Sequence, residues 1–346
     1  MKAPLSNPLE KDLQHILAKT HDLWQEMHGG RIFITGGTGF FGCWLLESLT
    51  YVNDSLNLGI QATVLTRNPA AFERKAPHLA LHPCVNLFQG DVLKFDDPPG
   101  KYHYVIHAAN DGEVIQRDPL LALDTITAGA RRVLEFSVRA GVKKLLYTSS
   151  GAVYGKQPPD LLNTPETYTG APDPLNPGSI YGEGKRTAEL LCAAYARQHG
   201  LEAKIARCFA FTGPYLPLDG QFAVGNFVRD ALQGGPIRVN GDGTPYRSYL
   251  YAADLAIWLW TILLRGESCR AYNVGSPEAI SIFDLAHRVR QVLAPGAEVI
   301  VAQQATPGAP APRYVPDIQR AQNELGLSAW VTMEESIQRM AAWATR

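Results

Sequence analysis

The amino-acid sequence predicts an α/β protein, a doubly wound parallel sheet followed by a smaller, mixed α/β C-terminal lobe. Three observations carry that expectation. From Arg31 onward, short apolar runs bounded by turns alternate with helical stretches. Strands separated by helices close into a parallel sheet covered on both faces, and right-handed crossovers wind it both ways. A glycine-rich turn follows the first apolar run and opens a helix. Finally, the 346 residues exceed one typical core of roughly 100–200 residues, so a second lobe is expected.

The chain opens with an amphipathic helix over residues 8–28. Leu9, Leu13, Ile16, Leu17, Trp24 and Met27 carry its apolar spacing, and Gly29-Gly30 ends it. Charges punctuate this stretch, so it does not read as a signal peptide. The preferred reading packs it on its own domain; a dimerisation or lid element is the alternative. Strands are expected at Ile32–Thr35, Ala62–Thr66, Val85–Phe88, Tyr104–His107, Lys144–Thr148 and Ala203–Ala206, with helices such as Phe41–Thr50, Leu120–Ala140 and Ile180–His199 between them. The most apolar run, Leu255–Leu264, has ten residues. A bilayer span needs about 20, so this run reads as a buried helix. After about Phe209 the regularity weakens, and Lys156–Ser179 and Ala302–Pro316 are loop-rich candidate substrate walls. The expected division is a helical extension over 1–30 and a dinucleotide-binding domain over 31–209 with a return segment at about 247–275. A substrate-binding lobe is expected over 210–246 and 276–346.

Composition narrows the function classes. Hydrophobic residues make up 46% and charged residues 19%, with a formal net charge of -1 and no Lys/Arg run. That suits a globular protein and gives nucleic acid or an anionic membrane no electrostatic handle. The five cysteines are widely spaced and form no CxxC. They read as reduced thiols of a cytoplasmic protein, each a small buried hydrophobe. His15, His21 and His28 lie on the N-terminal helix without an i,i+4 pair, so no metal site is expected.

The first strand runs into Thr35-Gly36-Gly37-Thr38-Gly39-Phe40-Phe41-Gly42. Gly36 permits the tight turn, Gly39 lets the backbone approach a pyrophosphate, and Gly42 lets helix and strand pack closely. Free N–H groups at the helix start face the phosphates. In that strand–turn–helix setting the motif predicts a Rossmann-type dinucleotide site. The second strand ends at Thr66-Arg67, where an acid would bind a ribose 2′-hydroxyl. An arginine pairs instead with a 2′-phosphate, so NADP is favoured over NAD; a solvated Arg67 with NAD is the alternative. Asp91, in Gly90-Asp91-Val92, can accept the adenine amino group. Ala108 and Ala109 are small enough for the dinucleotide to lie close, and His107 reads as a packed, hydrogen-bonded residue.

Tyr181 and Lys185 stand four residues apart at the start of a helix and share one face. A tyrosine with a solution pKa of about 10 is a poor base at neutral pH, and a neighbouring cation favours its phenolate. The tyrosine can then exchange a proton with a substrate hydroxyl or carbonyl. Thr148-Ser149-Ser150 closes the preceding strand and presents a hydroxyl toward the same chemistry.

With these motifs in hand, the sequence resembles the extended short-chain dehydrogenase/reductase superfamily, in its nucleotide-sugar epimerase/dehydratase branch, over roughly residues 31–327. Further matches are Ser149–Gly155, Arg207 with Gly213-Pro214, Gly241-Asp242-Gly243, Tyr272-Asn273-Val274-Gly275 and Arg313. The resemblance implies Tyr181 as general acid/base and Lys185 as the residue that holds the nicotinamide ribose and lowers the tyrosine pKa. It implies Ser150 as the hydroxyl that polarises the sugar C4 oxygen, and Asn226, Arg247 and Arg313 as contacts to the nucleotide diphosphate and ribose. Through the Gly36–Gly42 loop, Thr66, Arg67, Asp91, Val92, Ala108, Ala109 and Thr148 it outlines the cofactor site. It also implies a homodimer.

Two departures narrow the reaction. The 4,6-dehydratases of this family carry an Asp-Glu pair after the catalytic hydroxyl residue, and the sugar decarboxylases keep the Glu. Gly151 and Ala152 stand there in this chain. The family's Arg-x-Phe-Asn reads Arg207-Cys208-Phe209-Ala210. The first reading is therefore an NADPH-dependent nucleotide-sugar 4-ketoreductase, and the second a 4-epimerase with tightly bound NAD. A third is a reductase of a non-nucleotide carbonyl compound, against which Asn226, Arg247 and Arg313 stand. The last is a dinucleotide-sensing protein without turnover, against which the Tyr181/Lys185 pair stands.

Overall fold

The computed structural model describes residues 7–110 and 117–346. It divides into two compact units. The first comprises Met1–Gly155, Ala171–Cys208 and Ala256–Tyr272; the second comprises Lys156–Gly170, Phe209–Leu255 and Asn273–Arg346. The N-terminal extension thus belongs to the first unit, and the loop after Gly155 leaves it for the second. The returning segment of the first unit starts at Ala256, inside a helix.

The first unit is built on β1 (Arg31–Thr35), β2 (Gln61–Thr66), β3 (Val85–Gln89), β4 (Tyr104–His107), β5 (Lys144–Ser150) and β6 (Glu202–Cys208). With Ala271–Val274 at the edge, the seven-stranded sheet has the order β3-β2-β1-β4-β5-β6 and then that edge strand. The pairs among β1–β6 are parallel, with Thr35 opposite Leu65 in β2 and opposite His107 in β4. The order reverses at β1, so the carboxyl ends of β1 and β4 open a crevice there. This is the doubly wound fold that the alternating pattern predicts. The edge strand Ala271–Val274 escaped the sequence reading because four residues after a helix carry no period of their own.

Helices α1 (Glu10–Thr20), α2 (Phe40–Leu56), α3 (Pro69–Lys75), α4 (Pro77–Ala80), α5 (Pro119–Arg139) and α6 (Ile180–His199) belong to this unit. Local chemistry sets their ends. The Asn68 and Asp118 side chains cap α3 and α5, each with proline in the first turn. Asn57 and Gly200 close α2 and α6 in the left-handed conformation. Phe33, Phe95, Tyr102 and Phe136 form an aromatic knot between sheet and α5, with ring centroids 4.7–5.9 Å apart.

The N-terminal helix is shorter than its apolar spacing suggests. It ends at Thr20 and continues as a 3₁₀ helix, His21–Met27. The Thr20 hydroxyl donates to Ile16 O and accepts from Trp24 Nε1. The tighter 3₁₀ turn puts Trp24 and Met27 on one side, and both are fully buried. Trp24 lies 4.9 Å from Trp260, whose Nε1 donates to Ser48 in α2. Glu26 bridges Lys144 and Arg265. Trp260 lies on the helix Ala252–Arg265, whose apolar run is buried throughout. Among the described residues no helix is long and apolar enough to cross a membrane.

The second unit is a mixed α/β assembly. Phe211–Thr212 pairs with Leu250–Tyr251, and Val299–Val301 with Ile237–Val239. Tyr246–Arg247 lies between Ile280–Ser281 and Arg313–Tyr314. The helices Ala223–Leu232, Ile282–Leu293, Gln319–Leu325 and Met333–Ala344 pack with them. Four cysteines are buried free thiols, as their composition suggested; Cys269 is exposed, in a turn at φ 58°.

Candidate active site

The glycine loop joins β1 to α2, and each glycine has its own reason. Gly36 adopts φ +72°, and a Cβ there would sit 2.3 Å from Ala108 O. A Cβ on Gly42 would meet Gly37 backbone at 2.2 Å. Gly39 is different: the nearest protein atom to a Cβ there is Gly36 O at 3.4 Å. The protein's own packing does not demand a glycine at 39, whereas a ligand lying against the backbone does. Gly39 is also the N-cap of α2, without a side-chain cap, and the first-turn amides of Phe40 and Phe41 follow it. A dinucleotide pyrophosphate fits that cradle.

The surrounding residues are placed as follows. Thr35 Oγ1 contacts His107 Nδ1 at 2.7 Å and accepts Ala109 N–H at 3.2 Å, locking the ends of β1 and β4 together. Burial pushes His107 down to about 3, so it is neutral. Thr66 is buried and its hydroxyl accepts Asn68 N–H, whereas Arg67 is exposed beyond it. Asp91 Oδ1 accepts Leu93 N–H within its turn, and Val92 packs on the core and against Gly129 of α5. Lys75, which sequence reasoning missed, reaches from α3 to donate to Thr38 O at 2.8 Å. Its signal was present: α3 begins at Pro69, two residues after Arg67, and ends in Arg74-Lys75.

Tyr181, Lys185 and Ser150 come together. Lys185 is buried and donates to Thr148 O at 2.9 Å, its Nζ 5.8 Å from the Tyr181 ring centroid. Ser150 caps the turn Gly151–Tyr154, accepting Ala152 N–H, and its hydroxyl is hydrogen-bonded to Tyr181. Helix α6 comes this close to the turn because residue 182 is glycine. A Cβ there would lie 2.7 Å from Ala152 O and 2.7 Å from Pro172 Cγ.

Burial pushes the Tyr181 phenol up to about 12, with the Ser150 hydrogen bond pulling the other way. Burial also pushes Lys185 down to about 8. Loss of water is the dominant influence on the Tyr181 phenol in this setting. Tyr181 is a phenol with a proton to give.

Beneath the three lies a half-buried ion pair that sequence reasoning did not assign. Arg207 Nε and Nη2 donate to the two oxygens of Glu189, at 3.0 and 2.6 Å, and Nη1 donates to the Tyr154 hydroxyl. Ser149 donates to Glu189 Oε1 at 2.5 Å. The available signal was spacing: Glu189 lies four residues after Lys185 and eight after Tyr181 on α6, so all three share a face. The pair ties α6 to β5 and β6, next to Ser150.

In the second unit, Arg247 and Arg313 lie on paired strands, Arg313 opposite Tyr246 and Arg247 opposite Tyr314. Each guanidinium stands over the other strand's tyrosine, Arg313 at 4.6 Å and Arg247 at 5.8 Å. Asn226 is not part of that sheet. It lies on Ala223–Leu232, where its amide donates to Gly220 O and accepts from Gly220 N and Arg229. Among the described residues no group of three or more His, Cys, Asp or Glu could hold a metal ion.

The model of the NAD dependent epimerase/dehydratase family matches this chain over residues 32–275. The chain belongs to that family. Similar proteins include UDP-glucuronic acid decarboxylase 1 of Xenopus tropicalis, 31% identical over 311 residues that cover 89% of this chain and 70% of the relative. UDP-glucuronic acid decarboxylase 6 of Arabidopsis thaliana is 32% identical over 314 residues, covering 90% of this chain and 87% of the relative. Among solved structures, an epimerase of Methanothermobacter thermautotrophicus superposes with a TM-score of 0.78 at 22% identity, covering 95% of this chain and 96% of the other. UDP-glucose 4-epimerase of Thermotoga maritima superposes with a TM-score of 0.76 at 22% identity, covering 91% and 98%. These likenesses show the same fold. The protein is an enzyme of this nicotinamide-dependent family, with the α/β architecture that its sequence predicts.

Proposed function

We propose that this enzyme is a nucleotide-sugar 4-ketoreductase that prefers NADP(H), with Tyr181 as proton donor to the C4 oxygen. The observation that carries the reading is the site's inventory beside Ser150. The hydroxyl, the phenol and the ammonium are together, while Gly151 and Ala152 occupy the positions that carry carboxylates in the family's dehydratases. Loss of water from C5 and C6, or decarboxylation followed by reprotonation of C5, needs a further acid or base. Exchange at C4 needs only these three groups.

A nicotinamide held by the glycine loop supplies hydride exchange with the C4 carbon. The rest falls to this chain. Ser150 and Tyr181 bond the C4 oxygen and fix its position. Tyr181, half-buried and neutral at pH 7, delivers the proton as that oxygen gains charge. Lys185 keeps a positive charge next to the phenolate that remains. The ion pair of Glu189 and Arg207 holds β5 and α6 in register beneath them.

Arg67 and Lys75 support the cofactor preference. No acid ends β2; Arg67 follows its last residue, and Lys75 reaches Thr38 O in the loop. A 2′-phosphate pairs with them; a carboxylate would repel it. The uridine nucleotides in the names of the relatives make UDP-sugars the first substrates to try, and Arg247 and Arg313 suit a diphosphate. Asn226, engaged with Gly220, would release that loop to reach a substrate. The second reading is a 4-epimerase, because the same three side chains serve it and the family is NAD dependent. We further propose a cytoplasmic homodimer, to be checked by sedimentation.

The test is a cofactor panel. The purified enzyme should consume NADPH with a UDP- or dTDP-4-keto-sugar, faster than NADH, and should carry little bound cofactor. Tightly bound NAD, with interconversion of UDP-sugars and no net absorbance change, would replace the reductase by the epimerase.

A further inference from the structure

Tyr147, on β5, is unexplained by the site as described. It is 1% exposed, and its hydroxyl has no hydrogen-bond partner among the described residues. An unpaired buried hydroxyl is costly, and phenylalanine would fill the same place without it. The value of the residue therefore lies in its ring. The ring centroid is 4.9 Å from Lys185 Nζ and 5.4 Å from the His107 ring. Lys185 makes one directed bond here, to Thr148 O. A buried ammonium otherwise sheds its proton unless opposite charge or a polarisable face meets it.

We propose that Tyr147 is a positioning residue, the face of its ring holding the Lys185 ammonium charged beneath Tyr181 by a cation–π contact. Cys208, Glu189 and Cys192 also favour the cation, but none of them presents a ring face to it. On α6, Tyr181 is a neutral phenol, Cys192 is held as a thiol by burial, and Glu189 is engaged with Arg207 and Ser149. On β4, His107 is neutral; on β6, Cys208 is a buried thiol. Burial drives Lys185 toward the neutral form against Cys208, Glu189 and Cys192, and the face of the Tyr147 ring, 4.9 Å from Nζ, adds to that opposition.

The inference rests on Lys185 working as a cation with Tyr181, yet its test needs no substrate. Protein labelled with ¹³Cε-lysine is titrated by NMR, and the Lys185 signal is identified by its loss in Lys185→Met. Removing the ring in Tyr147→Leu should lower the Lys185 midpoint by about one pH unit, whereas Tyr147→Phe should stay within about 0.3 of wild type. An unchanged midpoint in the leucine variant, or a phenylalanine variant that falls as far as leucine, would overturn the proposal. If the leucine variant fails to fold, tetrafluorophenylalanine at 147 takes its place, keeping the ring's shape while weakening its negative face. Its midpoint should fall clearly below that of Tyr147→Phe, and equal midpoints would overturn the proposal.

Discussion

At the scale of single residues, the chemistry stands on Tyr181, Ser150 and Lys185, and each has a distinct expected signature. Tyr181→Phe removes the proton donor and keeps the ring, so kcat should fall about 10²–10⁴-fold while cofactor affinity stays near wild type. Stopped-flow binding and turnover on the same preparation separate the two. Activity should also decline as pH rises through about 8, because Lys185 then loses its charge. Lys185→Arg, which stays charged at any working pH, should abolish that limb of the profile if it retains turnover. Arg67→Ala should weaken NADPH binding about ten- to a hundredfold and leave NADH nearly unchanged, the effect of losing a charge-assisted pair. Equal NADPH affinity in the mutant would make Arg67 a solvated surface residue. These residues were legible in the sequence because their chemistry has a fixed spacing: four along a helix for Tyr181 and Lys185, a strand end for Ser150. Lys75, Glu189 and Tyr147 were not. Their roles depend on which strand or loop a side chain meets, and a linear pattern does not carry that.

At the scale of elements, the glycine loop and the start of α6 decide the geometry. The three glycines of the motif look equivalent in sequence, but only Gly39 has room for a methyl group in the protein itself. Gly39→Ala should therefore fold with a loss of about 1 kcal/mol or less, since it sits at an N-cap, yet should bind the dinucleotide at least about tenfold more weakly. Urea unfolding and fluorescence titration together check this. Normal affinity in the folded mutant would mean that the cofactor does not lie against Gly39. Strands β1 to β6 were read to within one or two residues because each is a short apolar run ended by turn residues. The N-terminal helix was overextended because apolar residues three apart fit α and 3₁₀ geometry alike.

At the scale of the whole molecule, stability follows from burial. Trp24 is fully buried against Trp260 although it lies outside the region matched by the family. Trp24→Ala should cost about 3–5 kcal/mol in urea unfolding, which makes the extension part of the first unit's core. Stability should also fall with rising pH above about 9. Cys43 and Cys84 are pushed up to about 11 and Cys208 to about 12, from an ordinary 9.0, by burial. Above pH 9 the folded state then binds more protons than the unfolded chain, so the slope is negative, about 1.4 kcal/mol per pH unit for each such thiol. Lys185 acts with the opposite sign between about 8 and 10.5, one group against several. The family and its fold were readable from the motifs. The precise reaction was not, since reductase and epimerase share the same three side chains and differ in what happens to the cofactor after the transfer.

The most direct test of that reaction follows the transferred atom. The enzyme would be supplied with NADPH carrying deuterium at the nicotinamide C4 and a nucleotide 4-keto-sugar, and the sugar product examined by NMR and mass spectrometry. One deuterium at the sugar C4, with one NADPH oxidised per product, is the expected result. Untouched NADPH and unconverted keto-sugar, beside interconversion of an ordinary UDP-sugar at C4 with no net change in cofactor, would contradict the reductase and point to epimerisation through bound NAD.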